Sequence, residues 1–147
     1  ITESVIITHP EKAVATLAKL KERGISITVD DFGTGYSSLS YLARLPIEAV
    51  KIDQRFVHGL EHNSNDVAIT QAIIALSHSL GLRVIAEGVE TRAQYDFLKN
   101  HGCEAAQGFL IGRPLEEQEF LAWWKAQEEH ARAVLLQPDM WQPEGSD

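Results

Sequence analysis

A single cysteine, Cys103, in 147 residues leaves no partner for an internal disulfide, as expected of a chain that folds in a reducing setting. Long hydrophobic runs are missing too: 44% of the residues are hydrophobic, but no stretch is long and apolar enough to cross a bilayer. That apolar content predicts instead the buried core of a soluble domain. No basic-plus-apolar segment opens the chain, which predicts a cytoplasmic location, any membrane anchor lying elsewhere in a larger parent protein. Basic residues are scarce, 13 Lys and Arg against 21 Asp and Glu for a net charge of −8. This argues against broad nucleic-acid binding, whose affinity comes from Lys and Arg on phosphates, and against membrane contact by this chain. An anionic substrate would need divalent cations, and the carboxylates that hold them would account for part of the acidic excess. The six histidines, His9, His58, His62, His78, His101 and His130, show no metal-ligand spacing. None is assigned a ligand role.

What is present is a repeated alternation of strand and helix. Thr8 with Glu11 has the spacing of a capping box, and Ala13, Val14, Leu17 and Leu20 form an apolar stripe ending before Gly24. Ile25, Ile27 and Val29 alternate with Ser26 and Thr28 as a strand does, and a short helix around 38–44 is stopped by Pro46. A second strand runs from Ala49 to Ile52, a polar loop from Glu61 to Asp66, and a long helix through Ile69, Ile73, Leu76 and Leu80 to Gly81. The third strand is Arg83 to Ala86. Thr91 with Gln94 forms another capping box, Gly102 ends that helix, a short strand lies near Ala105, and an amphipathic helix runs from about Glu116 through Trp123 and Trp124. Core packing is the expected role of both tryptophans. Residues 137–147 read as a loose tail. Such alternation predicts parallel βα units with right-handed crossovers, closed as an open sheet or as part of a barrel.

The first strand ends at Asp30-Asp31 and opens into Phe32-Gly33-Thr34-Gly35, the end at which parallel α/β folds carry their chemistry. Adjacent carboxylates leave a regular strand on opposite sides, yet where the backbone turns both can converge on a pair of metal ions. Turn chemistry explains an isolated Asp-Asp equally well. Lys51 points opposite to Val50 and Ile52, into a barrel or toward solvent. Asp53 either pairs with Lys51 or caps the next loop. Glu87 and Glu90, around Gly88-Val89, are either site carboxylates or first-turn helix acids. Ser37 and Ser38 can cap a helix.

The stretch Val29-Asp30-Asp31-Phe32-Gly33-Thr34-Gly35-Tyr36-Ser37-Ser38 resembles the signature of EAL domains, bacterial phosphodiesterases that act on cyclic di-GMP. Ile1-Thr2-Glu3-Ser4, Val50-Lys51-Ile52-Asp53, Val84-Ile85-Ala86-Glu87-Gly88-Val89-Glu90-Thr91, Ala106-Gln107-Gly108-Phe109-Leu110 and Arg113-Pro114-Leu115 extend the resemblance in the same order. It covers about residues 1–122 and the second half of the family's domain. The Glu-Ala-Leu segment, an Asn metal ligand and a Glu just ahead of Thr2-Glu3-Ser4 do not occur in this chain.

The resemblance implies an α/β fold forming the carboxyl-terminal half of a (β/α)8 barrel over residues 1–136, a complete barrel needing about 250 residues. It implies a two-metal site for Mg2+ or Mn2+, with Asp30 bridging, Asp31 completing the second ion and holding the nucleophilic water, and Glu87 a direct or water-mediated ligand. Lys51 would orient the nucleophile, and Gln107 a water or ligand edge. Glu3 would tether the loop Gly33-Thr34-Gly35, whose glycines let it move and which links the metal site to a dimer interface in the family. Asp53, Glu90, Arg113 and Pro114 would lie beside the substrate or behind the ligands. The expected reaction is hydrolysis of cyclic di-GMP to linear pGpG, this chain alone being inactive for want of ligands. Alternatives are a degenerate EAL domain that binds the nucleotide or a partner without cutting, and an oligomerisation segment with ancestral residues. Open strand edges predict a homodimer or swapped oligomer, and the parent protein is expected to carry sensor or GGDEF domains.

Overall fold

The computed structural model describes residues 1–3, 10–35 and 42–136. The expected cap at Thr8, Ser37 and Ser38, most of the helix at 38–44, and the tail 137–147 lie outside them. Two compact units divide the chain, 1–112 and 113–147.

The first unit is built on a four-stranded parallel sheet, β1 (Thr28–Phe32), β2 (Ala49–Ile52), β3 (Arg83–Glu87) and β4 (Ala105–Gln107), in the order β1-β2-β3-β4. Each strand pairs with its sequence neighbours, the order of a singly wound (β/α) barrel, so the α/β expectation holds. Thr2 adds a parallel bridge to Asp30 on the outer side of β1. Helix α1 (Pro10–Glu22) carries Lys19 and Lys21 in its last turn, where the helix dipole favours cations. It closes at Gly24 (φ +79°), and the Ile25 N–H donates to the Leu20 carbonyl at 3.2 Å. That bond keeps Ile25 out of β1, which starts three residues later than the alternation predicts and runs on through both aspartates to Phe32.

Two helices follow β2. The six-residue α2 (Gln54–Gly59) is capped by the Asp53 carboxylate, which accepts from the Arg55 N–H. Asn63 then caps α3 (Ser64–Ser79), so the predicted polar loop 61–66 gives up its last residues to a helical turn. Helix α4 (Arg92–Asn100) has the full capping box: Thr91 accepts from the Gln94 N–H while the Gln94 side chain accepts from the Thr91 N–H.

Register separates the two faces of the sheet. Val29 pairs with Val50 and Val50 with Val84, while Phe32 pairs with Ile52 and Ile52 with Ala86. These side chains are all buried, with Leu82, Val57, Ile73, Ile74 and Leu98 in the same core, and α2 and α3 pack there. Burying a Val or Ile fully contributes roughly 1.5–3 kcal/mol, so this face holds the sheet together. Lys51, Ile85 and Ala105 occupy the opposite face. In the second unit, α5 (Glu117–Leu136) groups Phe120 with Trp123 and Trp124, ring centroids 6.0 and 6.2 Å apart. Trp123 is partly buried, but Trp124 stands half exposed, less covered than the core role predicts.

Candidate active site

Regular pairing in β1 breaks between Val29 and Phe32, so that Asp30 and Asp31 together oppose Lys51 alone. This is a β-bulge, and Asp31 adopts φ +55° within it. Asp is among the few residues that tolerate this left-handed conformation. One extra residue thereby brings two consecutive carboxylates to the same side. Carboxylate oxygens of Asp30, Asp31 and Glu87 lie within 4.8 Å of one another at the carboxyl ends of β1 and β3. Because Glu87 lies two residues after Ile85, the Lys51 partner, it shares that face.

Lys51 stands between them. Its Nζ is 3.3 Å from Asp30 Oδ1 and pairs also with Glu87 Oε1. Burial on its own would lower the Lys51 pKa, but hydrogen bonds and charge from Glu87 and Asp30 outweigh it and hold the group above its ordinary value. At neutral pH Lys51 is therefore an ammonium that donates to both carboxylates.

Glu3 is buried, and its Oε2 accepts from the backbone N–H of Gly33 at 3.0 Å and of Gly35 at 3.2 Å. The Thr34 hydroxyl donates back to the Asp31 carbonyl at 2.9 Å. These bonds fold the loop after Asp31 onto the edge of the sheet. Gln107 ends β4 opposite Glu87, and its carbonyl accepts from the Val89 N–H at 3.1 Å. Glu87, Glu90 and Gln107 line a cleft of about 230 Å³ with Gln54, Gly88, Gly108 and Phe109.

Asp53 does not pair with Lys51; besides capping α2, it takes Arg55 Nε at 3.2 Å and Nη2 at 3.3 Å. Against the cost of burial, Arg55 holds its carboxyl below the usual range. Glu90 precedes the Thr91 cap, so it is not a first-turn helix acid, and it faces His58 Nε2 at 3.8 Å. Arg113 and Pro114 are exposed in the second unit. Sequence reading missed Gln54, which follows Asp53, the cap directly after β2. An Asx cap directly after a strand was the available signal. Burial pushes the Cys103 thiol up to about 11, which leaves it unreactive.

Parallel βα units with a bulge-borne acidic centre at the strand ends define an α/β protein suited to holding divalent cations. Residues 1–114 match the model of the EAL domain, and this chain belongs to that family. It is 48% identical over 122 residues to the bifunctional diguanylate cyclase/cyclic di-GMP phosphodiesterase MucR of Pseudomonas aeruginosa, covering 83% of this chain and 18% of MucR. With the cyclic di-GMP phosphodiesterase NbdA of the same organism it shares 46% over 115 residues, or 78% of this chain and 15% of NbdA. The solved MucR phosphodiesterase in complex with c-di-GMP matches with a TM-score of 0.80 at 48% identity, covering 82% of this chain and 49% of that one. A manganese and cyclic di-GMP complex of Klebsiella pneumoniae BlrP1 matches with a TM-score of 0.70 at 35% identity, covering 77% and 29%. The chain thus spans less than a fifth of these curated relatives and about half of the solved MucR chain.

Proposed function

We infer that this chain supplies the metal-ligand and lysine half of a cyclic di-GMP phosphodiesterase active site, hydrolysing one phosphodiester bond to give linear pGpG. The observation that carries the reading is the convergence of Asp30, Asp31 and Glu87 within 4.8 Å beside Lys51. Carboxylate oxygens are hard donors and fit Mg2+ or Mn2+. When bound, such ions polarise the phosphodiester and make water a stronger nucleophile at neutral pH. Asp30 and Asp31 would hold them from one bulge and Glu87 from the next strand but one. The Lys51 ammonium orients the attacking water and offsets charge that builds on the phosphoryl oxygens as the water oxygen bonds to phosphorus and the ribose oxygen departs. Gln107, paired with Glu87 and lining the same cleft, would orient a water or ligand edge, and Glu3 would hold the loop that positions Asp31. We place the reaction in the cytoplasm, in a protein that also carries sensor or GGDEF domains and associates as a homodimer or swapped oligomer. The chain by itself is expected to be inactive, three carboxylates being a sparse shell for two ions.

The test compares Mn2+-dependent conversion of cyclic di-GMP to pGpG by this chain, by a chimaera in which it replaces the matching half of the MucR domain, and by the chimaera carrying Asp30→Asn. Turnover by the chimaera alone, lost with Asp30→Asn, is the expected result. A chimaera that binds the nucleotide without cutting it would replace the enzyme by a sensor.

A further inference from the structure

Helix α2 sits at the carboxyl end of β2, between the loops that follow β1 and β3. Its first turn reaches both. An ideal Cβ placed on Gly33 would lie 2.9 Å from the Phe56 ring and 2.8 Å from Ile73 of α3, so the loop backbone already rests on those side chains. An ideal Cβ on Gly88 would lie 2.6 Å from Gln54 Cβ. Gly33 follows Asp31 by two residues, and Gly88 follows Glu87 directly. Gln54 and Phe56, two positions apart, point to different sides of the helix and so press on different loops. Asp53 pins that turn by capping it and by gripping Arg55.

We propose that Phe56 and Gln54 are positioning residues, which act as a spacer on β2 and set the separation of the Asp30-Asp31 pair from Glu87. The proposal deepens the metal-site reading, and its structural part stands without a metal. Close-packed side chains transmit displacement because the interior has no slack. Removing the Phe56 ring lets the Gly33 loop sink, moves Asp31 with it and loosens the Glu3 hydrogen bonds to Gly33 and Gly35. Glu3 holds this loop from the sheet edge, and Phe56 with Ile73 supports it from below, so Asp31 is held from both sides.

The experiment uses this chain, with Phe56→Ala, Phe56→Leu and, as control, Val57→Ala. Val57 is fully buried on the same helix and is not among the nearest neighbours of either glycine's vacant Cβ position. Two quantities are read: amide hydrogen exchange at Gly33 and Gly35 relative to Val50 in the core, and Mn2+ affinity by electron paramagnetic resonance. Phe56→Ala should speed the loop exchange on the order of tenfold and weaken Mn2+ binding about 10-fold or more. Phe56→Leu should recover most of both, and Val57→Ala should leave the exchange ratio unchanged. Unchanged loop exchange in Phe56→Ala, or an equal effect from Val57→Ala, overturns the spacer. Faster loop exchange when neither this chain nor the chimaera binds Mn2+ upholds the spacer and sinks the metal reading instead.

Discussion

Gly81 and Gly88 share φ +70°, yet nothing lies within 4 Å of a Cβ on Gly81, whereas Gly88 meets Gln54 Cβ at 2.6 Å and His58 Nε2 at 3.1 Å. Replacing each by alanine therefore separates conformational strain from close contact. Left-handed backbone costs a side-chain-bearing residue about 1–2 kcal/mol, partly offset by about 0.4–1 kcal/mol of reduced freedom in the unfolded chain. Gly81→Ala should then destabilise by roughly 1 kcal/mol. At Gly88 the neighbouring atom is a Cβ fixed to helix backbone, not the end of a flexible chain, so the loop must move, at a further cost of roughly 1–3 kcal/mol. Equilibrium guanidinium unfolding of both variants measures the difference. Equal losses with unchanged denaturant slopes would refute the close-packing argument and with it the contact between α2 and the Glu87 loop.

Lys51→Met in the chimaera should retain or tighten Mn2+ binding, because Asp30 and Glu87 lose a competing cation, while cleavage falls by about 10²–10³; calorimetry and product analysis together check it, and loss of both would make Lys51 structural. The Asp53 pKa is lowered, so its stabilisation is present above the ordinary carboxylate value and lost as pH falls through the folded one. Asp53→Asn should thus flatten the acid limb of a stability–pH curve below about pH 4; an unchanged limb refutes the Arg55 pairing. Asp31→Gly should be more stable than Asp31→Ala by about 1 kcal/mol, since φ +55° suits glycine, and both should lose Mn2+ affinity. Equal stability would place the bulge elsewhere.

Local signals were the legible ones. β2 could be read residue for residue, and the Thr91–Gln94 capping box forms as its spacing predicts. Ile25 misled because its side chain continues the alternation of β1 while its N–H closes α1. Helix α2 has too few residues to display a 3.6-residue period, so nothing in its apolar spacing announced it. The Asp30-Asp31 pair was legible as a site but not its geometry: alternation puts neighbours on opposite faces, and only the bulge brings them together. Gln54 and Phe56 owe their importance to glycines 34 and 23 residues away in sequence, a proximity that only tertiary packing creates.

The extra residue at Asp30-Asp31 also separates the fate of this site from that of the core over generations. Val29 and Phe32 are both buried on the helix-facing side although three apart, a spacing that regular pleating forbids. Deleting one aspartate would restore even pairing with Phe32 two residues after Val29, still opposite Ile52 on the core face, so the strand would lose a ligand and keep its core anchor. Substitution costs the chain a carboxylate and leaves the core in register. Descendants can therefore abandon cation binding by replacing or deleting an aspartate, and the sheet core is expected to outlast the site.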